Sequence, residues 1–360
     1  MKIGIDCRMI LHSGIGVHLE NILKHLQKEE GFTYYLFAPG EILDKVKLPD
    51  FYQHIEYRAG VYSLSEMRGH PRMSEMDLLH IPHFNVPFPY IKKCIVTIHD
   101  IIPYRMNELH TGIKKRLYLF FSLYAIRTYA KKIVTVSDFT AKDLELAFSY
   151  PQERMQTIYN AVNTRLFVPG EKLKSFKSKY NLPERYLLSV GIGKEHKNLA
   201  FLLDALLPLW KNESLKLPLV LAGSGGKIPD YLKPYREEVA EFIWACPHLP
   251  YEELPELYRN AELLIYPSLY EGFGFPVLEA QAVACPVYSS NASVLPEILK
   301  DSAYYFNPRD KEELQKGLLH ILSSEENRLM FVEKGLKNIE RFSWERSAAE
   351  FSKLYKSFLV

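Results

Sequence analysis

Short apolar runs alternate with longer stretches of helical periodicity along nearly the whole chain, and no other feature constrains the fold as tightly. The first series of runs falls at residues 2–5, 34–38, 78–81, 94–98 and 133–136, and the second at 185–190, 217–222, 241–245, 263–266 and 287–289. Amphipathic patterns lie between them, among others at 16–27, 114–130 and 199–210. Runs that are apolar on both faces predict strands buried on both sides, and that requires parallel sheets covered by helices. In such sheets ligands collect beyond the carboxyl ends of the strands. The pattern breaks at 160–183, where Asn163, Pro169, Gly170 and a Lys-rich stretch intervene. A domain boundary is expected near 170, giving two α/β domains of similar size with the site in the cleft between them.

Composition excludes several alternatives. Hydrophobic residues make up 47% of 360 and charged residues 24%, as in an ordinary globular protein. A formal net charge of +2 gives no argument for nucleic acid. Residues 1–170 carry 21 Lys/Arg against 17 Asp/Glu, a mild excess that suits an anionic acceptor, a membrane surface or ordinary solvated faces. Cys7, Cys94, Cys246 and Cys285 are not spaced as metal ligands or a redox pair, so reduced buried thiols and a cytosolic setting are expected. The chain starts on a short apolar strand without a leader's apolar region, and no run reaches about 18 apolar residues, so no bilayer span is expected.

The tract Pro267-Ser-Leu-Tyr-Glu-Gly-Phe-Gly-Phe-Pro-Val-Leu-Glu279 concentrates chemistry after the run at 263–266. Gly272 and Gly274 permit tight backbone geometry and close ligand approach. Pro276 suits the first turn of a helix, whose free N–H groups favour an anion. Glu271 falls in the loop and Glu279 about one turn into the helix, so each can accept hydrogen bonds from hydroxyls. The plain structural alternative is a capped strand–helix corner with two surface acids.

This tract resembles the two-glutamate motif of family-4 retaining glycosyltransferases, most closely the bacterial polysaccharide mannosyltransferases. Leu254-Pro-Glu-Leu-Tyr-Arg-Asn-Ala261, Ala292-Ser-Val-Leu-Pro-Glu-Ile298 and Tyr305-Phe-Asn-Pro-Arg-Asp310 resemble the family's flanking segments. The resemblance covers nearly the whole chain and is strongest from about 186 to 310. It implies the GT-B fold, two Rossmann-like doubly wound domains facing a central cleft: an acceptor-binding domain at 1–170, a nucleotide-sugar domain at 171–340, and a terminal helix at 341–360 that crosses back to the first domain. By the same resemblance Glu279 binds the donor ribose. Glu271 contacts the transferred sugar, beside the backbone N–H groups of Phe273, Gly274 and Phe275.

Ser189-Val-Gly-Ile-Gly-Lys-Glu-His-Lys-Asn198 follows a strand and precedes a helix, so its glycines and Lys194 and Lys197 can hold a diphosphate. Lysines on a loop are more commonly just solvated. The segment is similar to the family loop in which an Arg and a Lys neutralise the leaving diphosphate. Lys197 matches the Lys, Gly193 and Lys194 lie in the donor-facing stretch, and Ile192 stands where Arg is usual. Either Lys194 or His196 can supply the missing charge. His12-Ser-Gly-Ile-Gly-Val-His18 reads as a Gly-rich loop joining the first strand to the first helix, a weak motif by itself. In the family it faces the donor, which makes Gly14 and Gly16 contacts. Thr97-Ile-His-Asp-Ile-Ile-Pro103 ends a strand, and His99 matches the family histidine that touches the sugar. Ser137 or Asp138 reads as a helix cap.

Breaking a sugar–phosphate bond requires stabilising the departing anion. No Asp-x-Asp stands near the expected strand ends, so Lys197 and the helix start near Pro276 are expected to replace a metal, and no metal or other cofactor is expected beyond the nucleotide-sugar donor. Two acids also invite a glycosidase reading, but both lie next to phosphate-binding features, and the family reacts on one face of the sugar. GDP-mannose is the first choice of donor, with UDP-glucose, UDP-galactose and dTDP-rhamnose open, since base recognition falls to loops such as 245–249. The acceptor is expected to be a glycan or lipid-linked glycan, with residues 58–76 as its loop. A GT-B epimerase or phosphorylase and a non-catalytic sugar-nucleotide-binding subunit are the competing readings. Ile113-Lys-Lys-Arg-Leu-Tyr-Leu-Phe-Phe121, continued to Lys131-Lys132, fits either peripheral contact with the inner membrane face or a buried face opposite a solvated one.

Overall fold

The computed structural model describes residues 1–106 and 113–359, in two compact units. One comprises 1–160 together with 343–360, the other 161–342. The expected boundary at 170 therefore falls ten residues beyond the observed division.

The first unit is built on a seven-stranded sheet in the order β3-β2-β1-β4-β5-β6-β7. Its strands are β1 (Lys2–Asp6), β2 (Thr33–Ala38), β3 (Gln53–Glu56), β4 (Leu78–Ile81), β5 (Cys94–Ile98), β6 (Lys132–Thr135) and β7 (Met155–Thr157), and every pairing is parallel. The second unit carries a six-stranded parallel sheet, β10-β9-β8-β11-β12-β13. It is formed by β8 (Leu187–Val190), β9 (Leu219–Ala222), β10 (Ile243–Ala245), β11 (Leu263–Tyr266), β12 (Val287–Ser290) and β13 (Tyr304–Phe306). In both sheets the chain starts centrally and reverses direction of travel across the sheet, the doubly wound arrangement that places a site at the switch between the first strand and its later neighbour.

All the apolar runs but one became interior strands; the run at 241–245 became β10, at a sheet edge. Every residue of β4, β5, β8, β9, β11 and β12 is buried. The expectations missed β3, β7 and β13, and the reason is physical. Each lies at a sheet edge; β3 buries Ile55 alone, and all three residues of β7 stay half-exposed. Edge strands have no two-sided burial to impose an apolar run.

Helices cover the sheets by the 3.6-residue period. Leu202, Leu203, Leu206 and Leu209 on helix Leu199–Lys211 are buried with Leu219, Leu221 and Leu263 of the sheet. Each such side chain contributes roughly 1.5–3 kcal/mol by leaving water, and truncating one to alanine costs about 2–5 kcal/mol. The C-terminal helix Trp344–Lys356 starts at a Ser343 cap that accepts from Arg346 N–H. It belongs to the first unit. Its Phe351 stacks on His80 at 4.9 Å, and the Tyr355 hydroxyl lies 2.7 Å from His80 Nδ1. His80 Nε2 sits 2.8 Å from Thr97 Oγ1, so both ring nitrogens of this buried imidazole are satisfied. The four cysteines are free and buried.

Candidate functional site

In the second unit the loops after β8 and β11 meet. Gly191 leaves β8 with φ +74°, and Gly223 after β9 approaches it so closely that a Cβ would lie 3.1 Å from Gly191 N. The chain then makes a short 3₁₀ turn at Glu195–Lys197, ends it with Asn198 in the left-handed region, and starts helix Leu199–Lys211. Leu269 N–H donates to the His196 carbonyl at 2.9 Å, tying this turn to the loop that follows β11.

The join brings Lys197 to Glu271. Lys197 Nζ donates to Glu271 Oε1 at 2.7 Å and to the Tyr266 hydroxyl at 2.8 Å; the Tyr266 O–H donates to the same Oε1 at 2.8 Å, and Ser268 Oγ is a further donor to it. Both ion-pair side chains are largely covered, 15% and 10% exposed. Burial alone would raise the Glu271 carboxyl, but the Lys197 ammonium, the Ser268 hydroxyl and His196 together outweigh it and hold the group below the ordinary carboxylate range. The loop itself is anchored by Glu271 N–H donating to Ser293 Oγ at 3.0 Å.

Glu279 lies on the next helix, Phe275–Ala282, which Pro276 opens in its first turn. Gly274 caps that helix at φ +91°, a conformation in which a side chain would be strained and its Cβ 3.2 Å from Leu295. Phe273 is buried against Phe342 and Phe275, which keeps the turn in place. Among the described residues no cation is bonded to Glu279. Its Oε2 accepts from the Tyr258 hydroxyl at 2.7 Å, and burial pushes its pKa up to about 7 against that bond.

The other residues of this loop differ in burial. Ile192 is fully buried in the core of the unit, so the position where Arg is usual points away from the loop's polar face. Lys194 is exposed, whereas His196 is buried and near enough to Glu271 to favour its ionised form. Gly193 is exposed with open space around it.

In the first unit His99 stands at the carboxyl end of β5. Its Nε2 donates to the Pro82 carbonyl at 3.0 Å, which fixes the neutral tautomer with Nδ1 as acceptor. Burial, with His18 and His83 nearby, holds its pKa well below the ordinary value, so the ring is uncharged. Asp100 Oδ1 accepts from Ile102 N–H and shapes the turn that follows. Gly14 and Gly16 are not in a loop. Helix Ser13–His25 already includes them, and the connection is 7–12. Gly16 is required there because a Cβ would lie 2.5 Å from the Ile10 carbonyl oxygen. Ser137 is the cap of helix Asp138–Phe148, accepting from Thr140 N–H at 3.1 Å.

Sequence reasoning missed Tyr266, Ser268, Ser293 and Tyr258 as partners of the two acids. Tyr266 closes an apolar strand and reads as core; its position one residue before Pro267 was the available signal.

Two family models match: Glycosyl transferases group 1 over residues 171–338, and Glycosyltransferase Family 4 over residues 12–166. The O-antigen chain mannosyltransferase B of Escherichia coli is 32% identical over 284 residues, 78% of this chain and 74% of that protein. The serotype-specific mannosyltransferase WbdA of Escherichia coli is 27% identical over 296 residues; these are 80% of this chain but 35% of that longer protein. Among solved structures, sucrose-phosphate synthase of Thermosynechococcus elongatus superposes with a TM-score of 0.79 at 17% identity, covering 99% of this chain and 98% of that one.

Proposed function

This chain belongs to the family-4 glycosyltransferases, built on the GT-B fold, and from that premise we propose that it moves a hexose, with retention and without a metal, from a nucleotide sugar to a hydroxyl of a glycan or lipid-linked glycan. The observation that carries this reading is the Lys197–Glu271–Tyr266 cluster beside the start of helix Phe275–Ala282. An ammonium beside a helix N-terminus at one strand end is what a departing diphosphate needs. Lys197 takes the charge that develops on the leaving group, and His196 adds to it when protonated. Glu271, held ionised, orients sugar hydroxyls and is not a nucleophile. The backbone N–H groups of Phe273, Gly274 and Phe275 flank the donor with Gly193, and Glu279 accepts from the ribose. Lys194, exposed, contributes at most through the diffuse field of the loop. We assign the second unit to the donor and the first to the acceptor, with His99 Nδ1 accepting from a sugar hydroxyl and Gly14 and Gly16 as candidate donor contacts. The acceptor's proton passes to the leaving phosphate on the same face of the sugar.

GDP-mannose is the favoured donor, because two relatives named as mannosyltransferases match 78% and 80% of this chain. UDP-hexoses and dTDP-rhamnose are the alternatives to be tested beside it. We place the enzyme in the cytoplasm at the inner membrane face. Among the described residues no helix is long and apolar enough to cross a bilayer. Helix Ile113–Tyr129 buries Leu119, Leu123 and Ile126 but exposes Leu117, Phe120, Phe121 and Tyr124, with Arg116 and Arg127 on it. The side chains of Lys114 and Lys115 lie outside the described residues. Such a surface suits an anionic bilayer.

The test is release of nucleoside diphosphate from GDP-mannose, UDP-glucose, UDP-galactose and dTDP-rhamnose, with and without EDTA. Release from one donor, unchanged by EDTA, is expected. No release and no binding of any donor would favour the non-catalytic reading, and loss with EDTA would sink the metal-free mechanism.

A further inference from the structure

Lys197 is the cation that the proposed transfer gives to the leaving diphosphate, yet the fold has already given it an anion. Its Nζ donates to Glu271 Oε1 at 2.7 Å and to the Tyr266 hydroxyl at 2.8 Å, which uses two of the three N–H donors of an ammonium. The arm reaches this place past Gly191, where a Cβ would lie 3.4 Å from Lys197 Cε and 3.6 Å from Nζ. The ammonium also stands 5.1 Å from the centroid of the Tyr266 ring. An ammonium paired this closely, with its side chain 15% exposed, presents a phosphate with a dipole rather than a full charge.

The two partners are not held equally. Glu271 Oε1 takes three donors, the Lys197 ammonium, the Tyr266 hydroxyl and Ser268 Oγ, while among the described residues none is bonded to Oε2. Burial, then the Glu271 charge, raise the Tyr266 phenol well above its ordinary value, so it keeps the proton that it donates. The backbone on either side is tied down as well. Glu271 N–H donates to Ser293 Oγ at 3.0 Å, and Ser290 Oγ donates to the Ser268 carbonyl at 2.6 Å. Lys197 stands instead on a single 3₁₀ turn, Glu195–Lys197, at the end of a flexible four-carbon stem. When the ammonium turns to a phosphate, the carboxylate can stay in place on its two hydroxyl donors. Lys197 is the partner that moves.

We propose that Glu271 competes with the diphosphate for the Lys197 ammonium, and that this competition weakens the hold on the nucleoside diphosphate left after transfer. Once a phosphate has taken the ammonium, Glu271 is a buried carboxylate without its cation, beside an anion of its own sign. That state is costly, and it favours return of Lys197 to Glu271 and departure of the product. Glu271 thus has a part in the cycle after the sugar has left, separate from orienting sugar hydroxyls. The proposal rests on the reading of this unit as the donor site, and it goes further by naming the group that limits product affinity there.

Calorimetry with GDP, UDP and dTDP on the wild type, Glu271→Gln and Glu279→Gln tests it. Glu271→Gln keeps the shape of the side chain and removes its charge. It should bind the accepted nucleoside diphosphate about tenfold more tightly than the wild type does, the lower end of what one neighbouring charge does to an ionisation. Glu279→Gln removes the other buried acid of the same corner and should bind it no more tightly. The sign separates competition from a structural role, since loss of a supporting contact lowers affinity. A crystal structure of the wild type with the same diphosphate should place Lys197 Nζ on a phosphate oxygen and more than about 4 Å from Glu271 Oε1. Equal or weaker binding by folded Glu271→Gln overturns the proposal. So does equal tightening in Glu279→Gln, or a bound complex in which Lys197 and Glu271 stay in contact. These three results leave the transferase reading standing, whereas binding of no diphosphate by either the wild type or Glu271→Gln overturns both.

Discussion

Glu271 and Glu279 stand on one loop–helix corner of the second unit, yet their surroundings are opposite. Glu271 has Lys197 at 2.7 Å and two hydroxyl donors on the same oxygen, and its carboxyl is held below the ordinary range. Glu279 is equally buried but, among the described residues, has one hydroxyl and no bonded cation, and its pKa rises to about 7. The first is therefore ionised at every physiological pH, and the second carries about half a charge near neutrality. A group that must orient a sugar while charge moves needs a constant state. A group that only accepts from a hydroxyl tolerates a variable one. Burial is shared, so the difference comes from the partner that the loop after β8 delivers.

The strongest way to break this contrast is to remove that partner. Lys197→Ala should lower kcat by about 10²–10³, and it leaves a buried carboxylate that costs about 3–5 kcal/mol of stability or becomes protonated. Turnover and the melting temperature measured on the same variant separate the two effects. Retained kcat would remove Lys197 from the chemistry and leave the pair a structural one.

The glutamates themselves should split by kinetic parameter and by the sign of the stability change. Glu271→Gln is expected to act on kcat, by roughly a hundredfold. Glu279→Gln should raise donor KM about tenfold with kcat nearly unchanged, as loss of one charge-assisted bond implies. Stability runs the other way. A carboxyl raised from about 4.3 unfolded to about 7 folded contributes stability that is present below about pH 4.3 and lost as pH rises through 7. Removing it should therefore raise the melting temperature at pH 8, by up to roughly 3 kcal/mol of stability. Glu271 is depressed, so its contribution is present above its unfolded pKa and disappears as pH falls through the folded one. Glu271→Gln should lower the melting temperature at pH 7. Melting curves of both variants at pH 5, 7 and 8 decide the matter, and parallel shifts in the two would end the contrast.

How much of this was legible in the sequence follows from where the information is local. The two-sided apolar runs at 78–81, 185–190 and 263–266 could belong only to interior parallel strands, and Gly274-Phe-Pro276 announced its helix start by residue type. The edge strands β3, β7 and β13 were illegible because pairing, not burial, defines them. The contact of Lys197 with Glu271 was not among the expectations, since 74 residues separate them and it depends on the junction of two loops. Ile192, which stands where Arg is usual, is a core residue, and burial in a glycine-flanked loop has no local sequence signal. Tyr266 and Tyr258 were misread for one reason: an aromatic residue at a buried position reads as packing, and the hydroxyl at its end is decided by what lies beyond it.

Those two hydroxyls give the finest test of the contrast. Tyr266→Phe keeps the buried ring and removes the group that donates to Glu271 Oε1 and accepts from Lys197 Nζ. Tyr258→Phe removes the one bonded donor of Glu279 Oε2. Each loses about one hydrogen bond to a charged group, roughly 1.5–3 kcal/mol, part of it recovered by water or by a shift in protonation. Glu271 keeps Lys197 and Ser268, so Tyr266→Phe should lower kcat by only about three- to tenfold, with donor KM nearly constant and the acidic limb of the kcat profile moved to higher pH. Glu279 keeps nothing comparable. Tyr258→Phe should raise its pKa further and shift the pH dependence of donor KM upward, with kcat at its plateau unchanged. If instead Tyr266→Phe moved KM and Tyr258→Phe moved kcat, the roles of the two acids would have to be exchanged.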